Sequence, residues 1–185
     1  QRQMCIRDRF NGRAEWQERN IIDLLTKVPA GAQFILLPET AAPRHYWEPG
    51  LTETRLGSEP GAFWQELADT LRSSHPQALL VTGAFTNRYY AAGLQPRTAV
   101  GNPYGDGGYY DDFNTAVGLD SAGRTQLHHK GKLVIGVENT PTVIFDLMQF
   151  LVIDLGGVVG QIGMGQHGTA FTHDGMRMGC LLYTS

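Results

Sequence analysis

The sequence predicts a mixed α/β (α+β) fold, with helices packed on a largely buried sheet. Three observations carry that prediction. Helical and strand-like segments alternate in the first half, as helix, strand, helix, strand. The second half holds strand pairs joined by turn sequences. The strand-like runs are almost wholly apolar, as strands covered on both faces are. The chain of 185 residues is about one domain long and can bury a substantial core.

Residues 14–28 place Ile21, Leu24, Leu25 and Val28 at helical spacing, which predicts one buried face. A turn at Pro29–Gly31 leads to Gln33–Leu37, a run short and apolar enough for a buried strand, which Pro38 ends. Ser58, Glu59 and Pro60 read as a helix start, and Phe63, Leu67 and Leu71 then recur every four residues. Ala78–Phe85 is a second buried strand. Residues 87–112, rich in Gly, Tyr, Asn and Pro, have no period and read as a long excursion or hairpin tip. Phe113–Leu119 and Thr125–His129 flank Asp120-Ser121-Ala122-Gly123 and form an antiparallel hairpin. Residues 130–168 are glycine-rich and loop-like. A last hairpin joins Thr169–Thr172 to Met176–Gly179 through His173-Asp174-Gly175.

Composition excludes several classes of function. A net charge of -3 supplies no general basic surface for nucleic acid. Two cysteines, Cys5 and Cys180, cannot form a disulfide framework, and no Cys/His cluster has zinc spacing. The most apolar stretch, residues 143–160, is interrupted by Asp146, Gln149 and Asp154 and is a poor membrane span. The N-terminus lacks the apolar stretch of a signal peptide. The glycine-rich run 155–165 lacks the pattern of a phosphate loop.

Three residues stand out for chemistry. Glu39, in Leu37-Pro38-Glu39-Thr40, is a carboxylate at a strand end beside the core, where partial desolvation suits a general base; the alternative is a surface glutamate at a loop start. Lys130 follows a strand edge, where a fixed positive charge can stabilise a developing oxyanion; the alternative is a solvated surface lysine. Glu138, eight residues on, is placed to orient or neutralise such a lysine. His128 and His129 are adjacent in a strand, point to opposite faces and read as packing or hydrogen-bonding groups. The other four histidines suggest no role. Tyr89, Tyr90, Tyr104, Tyr109 and Tyr110 are suited to stacking on a ligand.

Leu36-Leu37-Pro38-Glu39-Thr40-Ala41, then Asn114-Thr115-Ala116, then the H-K-x-x-L-V-x-x-x-E stretch at His129–Glu138, resemble the nitrilase (carbon–nitrogen hydrolase) superfamily. More narrowly they are similar to the catalytic domain of the apolipoprotein N-acyltransferase family, over roughly residues 10–179. The run Ile153–Gly163 resembles the loop before the nucleophile strand in one branch of that family. The resemblance implies an αββα sandwich, truncated before or at the nucleophile strand, and a Glu–Lys–Cys triad. On it Glu39 matches the general base, Lys130 the oxyanion-stabilising lysine and Glu138 the auxiliary acidic residue. It implies a phospholipid acyl donor, an apolipoprotein acceptor, a cysteine thioester, no cofactor and no metal. It also implies a bacterial inner-membrane protein with its catalytic domain on the periplasmic side, anchored through regions outside this chain. A soluble carbon–nitrogen hydrolase and a nitrilase-like binding module without a nucleophile are the competing functions.

The chain departs from the family in places. Ile135 stands where proline is frequent, and Cys180 is followed by Leu181-Leu182-Tyr183 rather than an aromatic residue and Glu. The terminal strings Met4–Arg9 and Cys180–Ser185 resemble translated sequencing-adapter sequence. The expectation is therefore a partial catalytic domain at 10–179 with non-native tails at 1–9 and 180–185, Cys180 not being the family's nucleophile and the genuine cysteine lying just beyond Gly179.

Overall fold

The structure, a computed structural model, describes residues 14–48, 61–96, 98–101, 108–131, 162–165, 168 and 170–179. The fold is mixed α/β, and its spine is one long antiparallel pair. Strands β3 (Leu79–Tyr90) and β5 (Tyr109–Asp120) are each 12 residues long and pair from Leu79–Asp120 to Tyr90–Tyr109. β1 (Phe34–Leu36) and β2 (Tyr46–Trp47) pair in parallel with successive parts of β3. β4 (Val100–Gly101) and β6 (Thr125–His129) pair antiparallel with β5. A separate hairpin joins β7 (Ala170–His173) to β8 (Met176–Gly179).

Alternation divides the six-stranded sheet into two faces. Leu80, Ala84, Val117 and Leu119 point to one face and pack against helices α1 (Ala14–Thr26) and α2 (Gly61–Ser74). The predicted helical spacing explains the contact: Phe63, Leu67 and Leu71 of α2 and Ile21 and Leu25 of α1 are buried. Leu24, expected on the same buried stripe, is exposed, because it lies on the flank of the α1 stripe beyond the reach of the sheet. His75 caps this layer; its Nε2 lies 3.0 Å from the Val28 carbonyl oxygen and ties the ends of the two helices together.

Leu79, Val81 and Ala116 point to the other face and pack against Phe171 of the hairpin. A Cβ at Gly118 would stand 2.8 Å from the Phe171 ring, so glycine makes room for that ring. The Gln126 side chain donates to Thr172 O and accepts from Thr172 N, pinning β7 to the sheet face. The layer order is thus helices, sheet, hairpin. At the hairpin tip Asp174 and Gly175 have φ of 47° and 78°, the left-handed pair that an Asp-Gly turn supplies.

Two strand predictions need correction. Gln33–Leu37 is not a fully buried strand: among the described residues it pairs only with β3, and Leu36 is exposed. The excursion expected over 87–112 is shorter, because β3 runs on to Tyr90 and β5 starts at Tyr109. The polar residues there are carried by a continuous backbone ladder, which composition does not reveal. The hairpin around Asp120–Gly123 forms as expected. No helix among the described residues is long and apolar enough to cross a membrane.

Candidate active site

Glu39 stands where β1 gives way to an irregular turn against β3. Gly83 N donates to Pro38 O at 3.1 Å, and Ala42 N donates to Gly83 O at 3.0 Å. Residues 39–41 are therefore looped out between two ladder bonds that share one residue of β3. The loop lies flat on that residue: a Cβ at Gly83 would stand 2.4 Å from Thr40 N and 2.6 Å from Glu39 Cα. Thr40 takes φ of 53°, an outlier for a β-branched residue and a site of local backbone strain.

Lys130 directly follows β6, and its N donates to Asn114 O at 2.8 Å, so it continues the pairing with β5. By alternation Asn114 and Lys130 share the face of Gly83, the face that the hairpin covers. Lys130 Nζ donates to Glu39 Oε1 at 3.0 Å, and Asn114 Nδ2 donates to the same oxygen at 2.7 Å. Among the described residues no hydrogen bond is made to Oε2. The lysine side chain is 2% exposed and the glutamate side chain 41%. Burial thus falls mainly on the cation, and the carboxylate, expected to be partly desolvated, remains open on one side. Gly165 N donates to Lys130 O at 3.0 Å, and a Cβ at Gly165 would stand 2.2 Å from His129 O. The short described segment 162–165 therefore lies close along the end of β6.

The structure brings Glu39 and Lys130 together from positions 91 residues apart. Glu138 and Cys180, the other two residues singled out in the sequence, lie outside the described residues. Two contributors carried no assigned role in the sequence. Asn114 lay within a quoted motif. Gly83 had one readable signal, a lone glycine inside a strand, which marks close approach of another backbone.

No family model matches the chain, and no curated protein matches it. Two solved structures are similar in outline. One is XC1258 from Xanthomonas campestris, described as a CN-hydrolase superfamily protein, with 12% identity and a TM-score of 0.48 over 89% of this chain and 45% of that one. Another is a glutamine-dependent NAD+ synthetase from Acinetobacter baumannii, with 14% identity and a TM-score of 0.43 over 91% and 24%. The chain spans less than half the length of each. At these scores the likeness carries no weight for function.

His128 and His129 face opposite sides of the sheet, as their adjacency requires. His129 Nδ1 lies 2.8 Å from Thr115 Oγ1, and its ring stacks on Phe113 at 4.3 Å. Burial holds both imidazoles below the usual histidine range. His45, which had no assigned role, lies 2.8 Å from Asn87 Oδ1, and Asn87 in turn donates to Asp112.

Proposed function

We propose that this chain carries the base and the oxyanion-stabilising cation of a cysteine-dependent acyl-transfer site of the nitrilase superfamily, in the form used by apolipoprotein N-acyltransferases. The observation that carries the reading is the convergence of buried Lys130 and Asn114 on one oxygen of Glu39. A thiol needs a base to become a nucleophilic thiolate, and the tetrahedral intermediate needs fixed positive charge. Both groups stand on one sheet face, just beyond the C-terminal ends of β1 and β6.

The roles follow from the bonds. Oε1 is occupied by two donors, which leaves Oε2 to accept the thiol proton. The thiolate attacks the ester carbonyl of a phospholipid, and the carbonyl electrons move onto oxygen beside Lys130. Collapse expels the lysophospholipid alkoxide, which takes the proton from Glu39, and leaves an acyl thioester. The α-amine of a diacylglyceryl-cysteine then attacks the thioester, loses its proton to Glu39 and releases the thiol, forming an amide. Glu138 is assigned the auxiliary acidic role on the resemblance.

The nucleophile is proposed to be a cysteine that follows β8. His173, at the hairpin tip, lies against Phe34 and Gln77, whereas Phe171 lies against Gly118, further along the sheet. β8 therefore runs from the level of Phe34 toward the level of Glu39, in the direction of β1 and β3. The chain-terminal CLLYTS string is proposed to be non-native, and the membrane anchorage and periplasmic setting are proposals for the whole protein.

The test uses the full-length natural protein in phospholipid vesicles with a diacylglyceryl-cysteine peptide as acceptor. Acyl-enzyme is trapped by acid quench and mass spectrometry. Transfer to the peptide amine is expected, with Glu39→Ala and Lys130→Ala each reducing it by about 10²–10³ or more. Hydrolysis of simple amides or nitriles without acyl transfer would replace the reading with a carbon–nitrogen hydrolase. Near-normal transfer by the Lys130 variant would refute the assigned role.

A further inference from the structure

The sheet face opposite Glu39 carries a closed ring of polar side chains that the acyl-transfer reading does not use. Glu48 follows β2, Thr86 and Arg88 lie on β3, Thr115 on β5 and His129 on β6, and alternation puts the strand members on one face. Thr86 and Thr115 are fully buried and Glu48 nearly so. Arg88 Nε donates to Glu48 Oε2 at 2.6 Å, and Thr86 Oγ1 donates to Glu48 Oε1 at 3.2 Å. Thr86 Oγ1 lies 2.8 Å from Thr115 Oγ1, and Thr115 Oγ1 lies 2.8 Å from His129 Nδ1. His129 Nε2 closes the ring, 2.8 Å from Arg88 Nη2.

These contacts fix where the protons are. Each hydroxyl has one proton to donate, and a guanidinium has no acceptor. Thr86 donates to Glu48, so Thr115 must donate to Thr86. Thr115 must then accept from His129, which puts a hydrogen on Nδ1. Arg88 only donates, so Nε2 must be bare. The reverse order would set a hydroxyl lone pair against the Glu48 carboxylate and an imidazole N–H against a guanidinium N–H. The ring is therefore fully bonded in one state, with His129 neutral and protonated at Nδ1.

A second proton can enter only at Nε2. That N–H would face Glu48 Oε1 at 3.2 Å but could not accept from Arg88, and two cations would stand 2.8 Å apart. Burial chiefly holds the imidazole below the usual histidine range; Glu48 favours the proton, and Arg88 and His128 oppose it. The guanidinium itself also bonds Tyr90 and feels Asp111. Arg88 is 43% exposed along its side chain and borders a cavity of about 770 Å³, so it has room to withdraw.

The ring reaches Lys130 through the backbone and through residues 162–165. The His129 ring stacks on Phe113 at 4.3 Å. A Cβ at Gly163 would collide with the Phe113 ring, and one at Gly165 with His129 O. The segment thus rests on Phe113 and His129, and from there Gly165 N donates to Lys130 O at 3.0 Å.

We propose that His129 is a positioning residue for Lys130, a latch that holds while its imidazole is neutral and that a proton at Nε2 releases. The task given to Lys130 rests on the acyl-transfer reading. The latch is observed in the chain without turnover, so its failure and the failure of that reading are distinguishable.

The full chain, labelled with ¹⁵N, is followed by NMR from about pH 7.5 downward, across the range in which histidine titrates. Imidazole ¹⁵N shifts report the tautomer and the second proton of His129, and amide hydrogen exchange reports local opening. His129 is expected to carry its hydrogen on Nδ1 at the start. Protection of the Gly165 and Lys130 amides is expected to fall at least about ten-fold as His129 takes its second proton, while the Leu80 and Val117 amides keep theirs. His129→Phe retains a ring against Phe113 and removes both nitrogens; it is expected to abolish the step and leave Gly165 weakly protected throughout. Hydrogen on Nε2 at the start would overturn the proposal even if the variant failed to fold. So would Gly165 protection that ignores the His129 proton, or a loss shared by Leu80 and Val117, which is global unfolding.

Discussion

Gly83→Ala separates two opposite expectations. Gly83 does not have the positive φ that favours glycine, so alanine meets no backbone barrier there. In an open strand position the change stabilises by about 0.4–1 kcal/mol, by restricting the unfolded chain. Here the new Cβ would stand 2.4 Å from Thr40 N, 2.6 Å from Glu39 Cα and 2.8 Å from Glu39 C. All three are backbone atoms, so no side-chain rotation relieves the contact. Reaching an ordinary separation near 3.4 Å requires the 39–41 loop to lift by about 1 Å. Overpacking of that kind costs about 1–3 kcal/mol. The same lift would carry Glu39 Oε1 away from its 3.0 Å bond with Lys130, and a misplacement of about 1 Å would cost about 100-fold in the proposed acyl transfer. Urea denaturation of the chain measures the first effect. The internal control is Gly101→Ala, also in a strand but with nothing within 4 Å of its added Cβ, which is expected to be neutral or slightly stabilising. A Gly83→Ala midpoint equal to or above that of the parent chain would refute the close approach of the glutamate loop, and with it the account of how Glu39 is held.

A double-mutant cycle on Glu39→Gln and Lys130→Met measures the ion pair itself. At 3.0 Å the Coulomb energy is about 5.5 kcal/mol at an effective dielectric of 20 and about 1.4 kcal/mol in water, and with Glu39 41% exposed the expected coupling is about 1–3 kcal/mol; a coupling of zero would show the pair to be unformed in solution. Acidification tests the buried histidines: because the unfolded chain binds protons near pH 6.5 that folded His128 and His129 refuse, stability should fall from pH 7.5 toward 6, by at most about 1.4 kcal/mol per pH unit for each proton. His129→Gln should flatten that slope, and a urea midpoint that stays constant or rises on acidification would contradict the assigned burial. Asp111 and Asp112, raised chiefly by burial, act with the opposite sign and in a more acidic window that begins above about pH 3.8.

What could be read from residues alone depended on whether the signal was local. The helical faces of α1 and α2, the Asp120–Gly123 turn and the Asp174-Gly175 turn all depend on spacing within a few residues, and all appear in the fold. The lengths of β3 and β5 do not. Arg88, Tyr89 and Tyr90 lie in a strand because Tyr109, Tyr110 and Asp111 pair with them, and neither segment declares that partnership by itself. The exposure of Leu36 on β1, which among the described residues pairs with β3 alone, is likewise set by which strand it meets. At the candidate site, Glu39 and Lys130 were legible because their neighbours form family-like strings. Asn114 was visible as a motif member without a task. The Glu48–Arg88–His129 cluster was not legible, since its members come from three distant segments and gain meaning only across the sheet.

The uneven burial of the Glu39–Lys130 pair has a consequence for the proposed chemistry. A lysine that is 2% exposed acts through a low local dielectric, so its charge is strong at short range. In the resting site that charge is offset by Glu39 at 3.0 Å. When Glu39 accepts the thiol proton it becomes neutral, and negative charge moves to sulfur and then to the carbonyl oxygen of the intermediate. Lys130 thereby changes counter-ion, from carboxylate to oxyanion, without moving and without being dehydrated again. Asn114 goes on donating to Oε1 through the change, because an amide N–H also bonds a neutral carboxyl oxygen, though more weakly than a carboxylate. The exposed side of Glu39 leaves Oε2 open to the proton, and the strained backbone at Thr40, held by Gly83 on both sides, keeps that side facing outward. A buried glutamate with an exposed lysine would satisfy the same distance. It would raise the cost of the resting carboxylate and screen the cation where the oxyanion forms, so the observed order of burial suits the proposed acyl transfer better than its reverse.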